Sequence, residues 1–354
     1  MTMKQGWRAR TLVAATAIAT LGLAGLAGQA EARDLTIVSW GGAHQDSQRA
    51  VYFEPFMEET GASILEDSYN GGLAQIRSQV QTGSVTWDLV QVEAPELVRG
   101  CQQGLFEFIP WEDIGDPGDF IPGAATDCGV GTIVWAMVMA YDADRVDGNP
   151  SGWEDFWDVE TYPGNRGLRR GAKFNLEIAL MADGVPADEV YEVLATDEGV
   201  DQAFAKLDEL KDHIQWWEAG AQPPEWLASG DVAMTTAYNG RIGAAQREGR
   251  NFEISWDGQL YSVDSWVILR DSDNFDQAVE FIRFASDPGR QAQLPEYIPY
   301  GPTMSDAIPH VPEEVRDDLP TAEANLENAI ENDTEFWIDR EENLDERFNA
   351  WIAR

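Results

Sequence analysis

Two short stretches of the chain end in a large aromatic residue followed by a turn signal. "TIVSWGG" closes on Trp40 before Gly41-Gly42, and "AMTTAYNGR" closes on Tyr238 before Asn239-Gly240. Each reads as a strand that ends at the lip of a turn and leads into a helix. In open parallel sheets the binding crevice lies outside the carboxyl ends of the strands, so Trp40 and Tyr238 are expected to line a cleft from opposite lobes. The glycines beside them let backbone approach a bound molecule closely. Aromatic faces of this kind attract cations by roughly 0.5–2 kcal/mol. Arg241 follows directly, and its planar fork suits a carboxylate if it points into the cleft. Its other reading is a solvated residue on the first turn of the next helix.

Covalent chemistry has little support. His44, His213 and His310 lie far apart, and there is no G-x-S-x-G, H-E-x-x-H or phosphate-binding loop. "GVGTIV" lacks the third glycine of a dinucleotide fingerprint. Tyr69, Tyr238, Tyr300 and His44 could ligate a metal, but they form no spaced set. The expectation is therefore no catalytic residue, no cofactor and no metal. A receptor for an anionic or other small organic solute, such as sulfate, phosphonate or a betaine, is an alternative, because helix N-termini after Gly41-Gly42 and Gly240 expose amides that favour anionic groups.

The elements that must position these residues follow from length and pattern. The chain has 354 residues with 44% hydrophobic and 25% charged, enough for about two globular domains. Residues 1–32 read as a cleavable secretory leader: Lys4, Arg8 and Arg10, then an apolar run from Thr11 to Ala27, then Ala30-Glu31-Ala32. No later segment approaches ~20 unbroken apolar residues, so the mature chain from about Arg33 should be a soluble periplasmic protein. In that oxidising compartment Cys101 and Cys128 are expected to pair, worth roughly 3 kcal/mol in the loop-entropy account. The formal net charge of -39 repels nucleic acid and anionic lipid. A carboxylate-rich surface also suits a high-salt habitat, so charge alone names no ligand.

Strands are expected at 34–40, 62–67 and 87–93, with a helix from about 44 to 59 kinked by Pro55 and another after Asn70-Gly71-Gly72. This β-α-β-α-β order implies right-handed crossovers and a parallel sheet covered on both faces. "TIVWAMVMAYD" and "YSVDSWVIL" read as strands that pass between lobes. Between them the pattern resumes with helices at 153–156 and 175–181, a strand near 167–169, two acidic helices, and the strand ending at Tyr238. A helix at 275–285, ended by Pro288-Gly289, and acidic helices with Trp337 and Trp351 complete the chain.

In this order, "LTIVSWGG", "FEPFMEETG", "WDLVQVEAPELVRGCQQGLFEFI", "GTIVWAMVMAYDADRV", "AMTTAYNGR", "YSVDSWVI" and "EYIPYGPTMSDA" resemble the periplasmic solute-binding proteins of ABC importers, in the spermidine/putrescine-binding branch. The resemblance covers nearly the whole mature chain. It implies a type II, two-lobed α/β fold, each lobe a mixed, mainly parallel sheet flanked by helices and joined by crossing strands. Lobe 1 is expected near 34–135 plus 264–304, and lobe 2 near 136–263 plus 305–354. It implies a monomer that captures a small amine-bearing solute, delivers it to a membrane permease, and does no chemistry.

Carried over by position, Trp40 is the aromatic wall of the first lobe, with Tyr238 and Asn239 on the second. Asp264 matches the acid that holds an ammonium, and Tyr300 an aromatic of the C-terminal part. Glu93 stands where the family has a small polar residue, and an added carboxylate there suits a cation. Trp337 corresponds loosely to a polar ligand position. A linear amine needs such rings and acids, each charge-assisted hydrogen bond giving about 1.5–3 kcal/mol. In "GLRRGAKFNLE", however, the pair of acids that polyamine binders use for the far ammonium is replaced by Gly171 and Phe174, beside Arg169, Arg170 and Lys173. Glu177 could supply the missing acid or simply sit on a helix face. Asp264 with Arg241 would recognise a zwitterion, which suggests an ω-amino acid such as γ-aminobutyrate in place of a diamine.

Overall fold

A computed structural model describes residues 33–354; the leader expected over 1–32 lies outside the described residues. Three strands precede the first long one: β1 (Leu35–Ser39), β2 (Ile64–Ser68) and β3 (Leu89–Glu93). The long strand β4 (Val130–Asp142) follows, then β5 (Arg166–Arg169), β6 (Ile214–Trp217) and β7 (Met234–Tyr238). A second long strand, β8 (Phe252–Ile268), and the short β9 (Ile330–Glu331) complete the set. All are hydrogen-bonded in the order β2-β1-β3-β8-β4-β7-β5-β6, with β9 also on β8.

The order divides the sheet. On one flank β2, β1 and β3 pair in parallel, and on the other β7, β5 and β6 do the same. Between them β4 and β8 run antiparallel to each other, β8 antiparallel to β3 and β4 antiparallel to β7, while the short β9 pairs in parallel with β8, and both long strands belong to both halves. This is the mixed, two-lobed α/β arrangement with crossing strands. Every residue of β4 is buried, as expected of an unbroken apolar run in the middle of a sheet covered on both faces. Its register with β8 shifts between Gly131 and Ile133 and again between Met137 and Met139; such irregularities bend a ladder and increase its twist.

Most expected elements are present within a few residues of their expected limits. The first helix differs: it is α-helical over Gly42–Gln48, widens to a π-turn over Arg49–Phe53, and resumes over Glu54–Thr60. The irregularity precedes Pro55 because that ring has no N–H to donate and crowds the turn behind it. The Glu54 amide bonds back to Arg49 O as the turn widens. Pro288 opens a short helix, Pro288–Gln291, after the expected one at Phe275–Ala285. Strands β6 and β9 and helix Gln222–Ser229 were not anticipated.

Cys101 and Cys128 form a disulfide. It ties helix Ala94–Gln102, which leaves the end of β3, to the approach to β4. Among the described residues no helix is long and apolar enough to cross a membrane.

Candidate functional site

Strand ends and strand middles meet at one place. Glu93, the last residue of β3, is paired across the ladder with Asp264 of β8, and Asp264 is in turn opposite Ile133 of β4. Trp135 lies two residues along β4. Trp40 follows β1, Arg169 ends β5 and Tyr238 ends β7. Together with His44, Tyr69, Arg241 and Tyr300 these residues line a cavity of about 40 Å³, several times the about 10–15 Å³ that one water needs on the same measure.

Asp264 is 2% exposed. Its carboxylate accepts from the Trp40 indole at 2.6 Å, the Trp135 indole at 2.5 Å and the Gln91 amide at 3.1 Å. The Gln91 side chain is oriented for that bond because its oxygen takes the His44 ring N–H and the Gln48 amide, both at 2.9 Å. Among the described residues no cation pairs with Asp264. Burial, helped by the nearby charge of Glu93, pushes its carboxyl well above the usual range, and the two indole bonds only partly oppose this. An ammonium arriving here would meet a carboxylate already held in place by three donors.

The walls are aromatic. Trp40 stacks on Tyr69 with ring centres 4.9 Å apart, and Trp135 meets Tyr238 edge-on at 5.0 Å. Trp135 also meets Phe174 edge-on at 5.6 Å, and His44 meets Tyr300 at 5.3 Å. Phe174 is held at φ 73°, a left-handed backbone that side-chain-bearing residues seldom adopt. His44 is driven down to about 3 by burial and by the Arg241 charge, so it is neutral.

Arg241 is buried, at 5% exposure, and is not a solvated helix residue. Its Nη2 donates to the Trp40 carbonyl at 3.1 Å, while Nε and Nη1 have no partner among the described residues. Gly42 leaves room for it: a Cβ there, at φ 53°, would stand 2.9 Å from Nη1, while one on the adjoining Gly220 would stand 3.0 Å from the Tyr238 ring. A buried guanidinium with two of its three nitrogens unpartnered can donate to an anion such as a carboxylate.

Glu93 does not offer a free carboxylate for a solute cation, contrary to the sequence-based expectation. Lys173 Nζ lies 2.5 Å from its Oε2 and Arg169 Nη2 lies 3.2 Å from its Oε1. Burial alone would push the Glu93 carboxyl up, but the Arg169 and Lys173 charges outweigh it and bring it down to about 2. Asn239 is fully buried behind the cavity: its Oδ1 accepts from Ala136 N at 3.0 Å and its Nδ2 donates to Pro299 O at 2.6 Å. Trp337 is away from the cavity, fully buried, with its indole donating to Glu177 at 2.8 Å. Glu177 is likewise interior, also accepts from the Tyr191 hydroxyl, and is pushed up to about 7 chiefly by burial. Trp40, Tyr238, Arg241, Asp264 and Tyr300 are thus brought together at one cavity, with Glu93 at its wall as an internal counter-ion. Trp135, Tyr69 and Arg169 line it too; the sequence singles out Tyr69 only as a metal ligand and Arg169 only as a neighbour of the lost acids, and nothing in it marks Trp135. Among the described residues no cluster of His, Cys, Asp and Glu is placed to hold a metal.

The family description of bacterial extracellular solute-binding proteins matches residues 52–321. A γ-aminobutyric acid-binding protein of Pseudomonas aeruginosa is 52% identical over 328 residues, 93% of either chain. The spermidine/putrescine-binding periplasmic protein of Escherichia coli is 22% identical over 281 residues, 73% of this chain and 78% of its own. Among solved structures, an ABC transporter substrate-binding protein from Bradyrhizobium japonicum is 33% identical with a TM-score of 0.81, over 90% of this chain and 99% of its own.

Proposed function

We propose that this chain, which belongs to the bacterial extracellular solute-binding protein family, captures an ω-amino acid of the γ-aminobutyrate type in the periplasm and passes it to the membrane permease of an ABC importer. The observation that carries the proposal is a buried carboxylate without a cation and a buried guanidinium with two unpartnered nitrogens, held at the two ends of one residue. Trp40 donates from its indole to Asp264 and accepts at its carbonyl from Arg241. A short zwitterion with its amine at Asp264 and its carboxylate at Arg241 satisfies both groups, and its methylenes pack on the Trp40, Trp135 and Tyr238 rings. The 52% identical relative is named for that solute.

A diamine fits less well. Its second ammonium would meet Arg241; of the two other acids lining the wall, Glu93 is already matched by Arg169 and Lys173, and Glu218 lies 3.7 Å from Arg170. The small cavity argues in the same direction against spermidine. The site binds without chemistry, since the one histidine at the cavity is neutral and bonded to Gln91.

Solute capture follows from differential affinity: a ligand bridging both lobes favours the closed form. The lobes are read as 34–135 with 264–304 and 136–263 with 305–354, with one refinement. The 3-10 segment Ser305–His310 packs on helix Pro288–Gln291, which supports a return to the second lobe after residue 310. Export through the leader at 1–32 and action as a monomer belong to the same proposal.

The test is calorimetric titration of the mature protein with γ-aminobutyrate and with putrescine. The wild type should bind the first and not the second, and Arg241→Gln should abolish γ-aminobutyrate binding without lowering Tm by more than a few degrees. Tight putrescine binding by the wild type, or full γ-aminobutyrate affinity in the variant, would reject the zwitterion assignment.

A further inference from the structure

A chain of alternating charges runs from the outer surface to the cavity wall and crosses between the two halves of the molecule. Helix Ala94–Gln102 of the first half carries Glu96 and Arg99, and Glu93 is its N-cap residue. The second half contributes Arg169, Lys173 and, from the C-terminal helix Thr334–Ile352, Glu341. Arg99 Nη2 is in direct contact with Glu341 Oε2; Lys173 Nζ is 3.9 Å from Glu341 Oε1 and 2.5 Å from Glu93 Oε2; Arg169 Nη2 closes the series on Glu93 Oε1 at 3.2 Å. The three links that this series makes between the halves are ionic.

The members are well shielded. The Lys173 and Glu93 side chains are 8% and 7% exposed, and those of Arg99 and Glu341 are 25% and 15%. The platforms on both sides are stiff. The disulfide at Cys101 anchors the helix that bears Arg99. The C-terminal helix is capped by Asp333 and pinned through the Trp337 indole to Glu177 and the Trp351 indole to Asp208. Truncating one partner of a buried, hydrogen-bonded charge pair acts mainly on dissociation, because the other charge is left unpaired in a desolvated place. None of Arg99, Glu341 or Lys173 lines the cavity.

We infer that the Arg99–Glu341–Lys173–Glu93–Arg169 series is a latch that holds the halves shut over the solute, so that residues which never touch the solute set how long it stays. The inference rests on the reading of the site as a closing cleft. It does not depend on which solute the cleft takes. Arg99, Lys173 and Glu341 act as positioning residues: they fix Glu93, which in turn holds Arg169 at the wall.

The experiment compares the wild-type mature chain with Arg99→Gln, Glu341→Gln and the double variant. Stopped-flow tryptophan fluorescence would follow γ-aminobutyrate association and dissociation. Each single change should speed dissociation roughly fivefold to tenfold with association within about twofold. The double variant should be no worse than the weaker single, because both remove the same link. Raising salt from low to molar should speed wild-type dissociation more than that of the double variant, which keeps only the Glu93 pairs. Unchanged dissociation in both singles, additive losses, or equal salt responses would overturn the latch.

A second measurement needs no solute. Small-angle X-ray scattering of the free proteins at low salt should give a larger radius of gyration for the double variant than for the wild type. Equal radii would overturn the latch even if γ-aminobutyrate proved not to be the solute, whereas absence of γ-aminobutyrate binding with unequal radii would reject only the solute assignment.

Discussion

The ends of β1 and β7 look alike as sequence, an aromatic followed by a polar or glycine turn and a helix, and they differ in what the turn does. After Trp40 the backbone passes through Gly41 at φ 62° and Gly42 at φ 53°. The missing Cβ of Gly42 makes room for the Arg241 guanidinium from the other half. After Tyr238 the turn is held by a side chain: Asn239 ties the Ala136 amide to the Pro299 carbonyl. Gly240 has no positive φ there, and a Cβ on it would stand 2.5 Å from the Tyr300 ring. That space is filled by Tyr300 and not by a solute, which corrects the expectation that both glycine turns admit a ligand. The first strand end leaves space at the cavity, and the second is filled so that it holds the wall in place.

The comparison is most sharply tested by Asn239→Ala. It leaves a buried amide and a buried carbonyl without partners, a cost of about 2–4 kcal/mol in stability. Thermal or urea unfolding should show this loss, while the variant that still folds should keep its solute affinity within a few-fold. A tenfold loss of affinity without destabilisation would put Asn239 at the solute after all.

Trp40→Ala should do the reverse. It removes an aromatic wall, the stack on Tyr69 and one of the two indole bonds to Asp264. Affinity should fall at least about tenfold, or about 1.4 kcal/mol, and Tm should change less than in Asn239→Ala. Unchanged calorimetric affinity would remove Trp40 from the site and blur the distinction between the two strand ends.

What could be read in advance follows the same physical line. Strands β1, β3, β4, β7 and β8 announce themselves through apolar runs with turn residues at their ends. Strand β6, "IQWW", is mostly half-buried and has neither alternation nor flanking glycine, and β9 is two residues long. Trp40 and Tyr238 were legible because each ends a strand beside a turn. Trp135 was not, since it sits inside a run of thirteen buried residues where nothing marks the one that faces the cavity. The pairing of Glu93 with Arg169 and Lys173 joins positions 76 and 80 residues apart (169 − 93 and 173 − 93), so no local pattern records it. Trp337 failed as a site residue because a buried indole must find a partner for its N–H, and Glu177 provides one far from the cavity.

The smallest effect concerns protons, and it too belongs to the Trp40 end. Burial raises the Asp264 carboxyl well above its usual range in the free protein, and an ammonium bonded to it favours the ionised form. Binding should therefore release a proton, and affinity should fall as pH is lowered, by at most about tenfold per pH unit. Two nearby groups cannot mimic this between pH 5 and 8. His44, pushed down to about 3, stays neutral throughout. Glu93, brought down to about 2, keeps its charge throughout, and its contribution is lost only as pH falls below the ordinary carboxylate range toward 2. Titrations at one pH in buffers of different ionisation enthalpy should give heats that differ by up to one released proton per solute. Identical heats in all buffers would mean that Asp264 is already ionised before the solute arrives, and that the two indoles and Gln91 alone outweigh its burial.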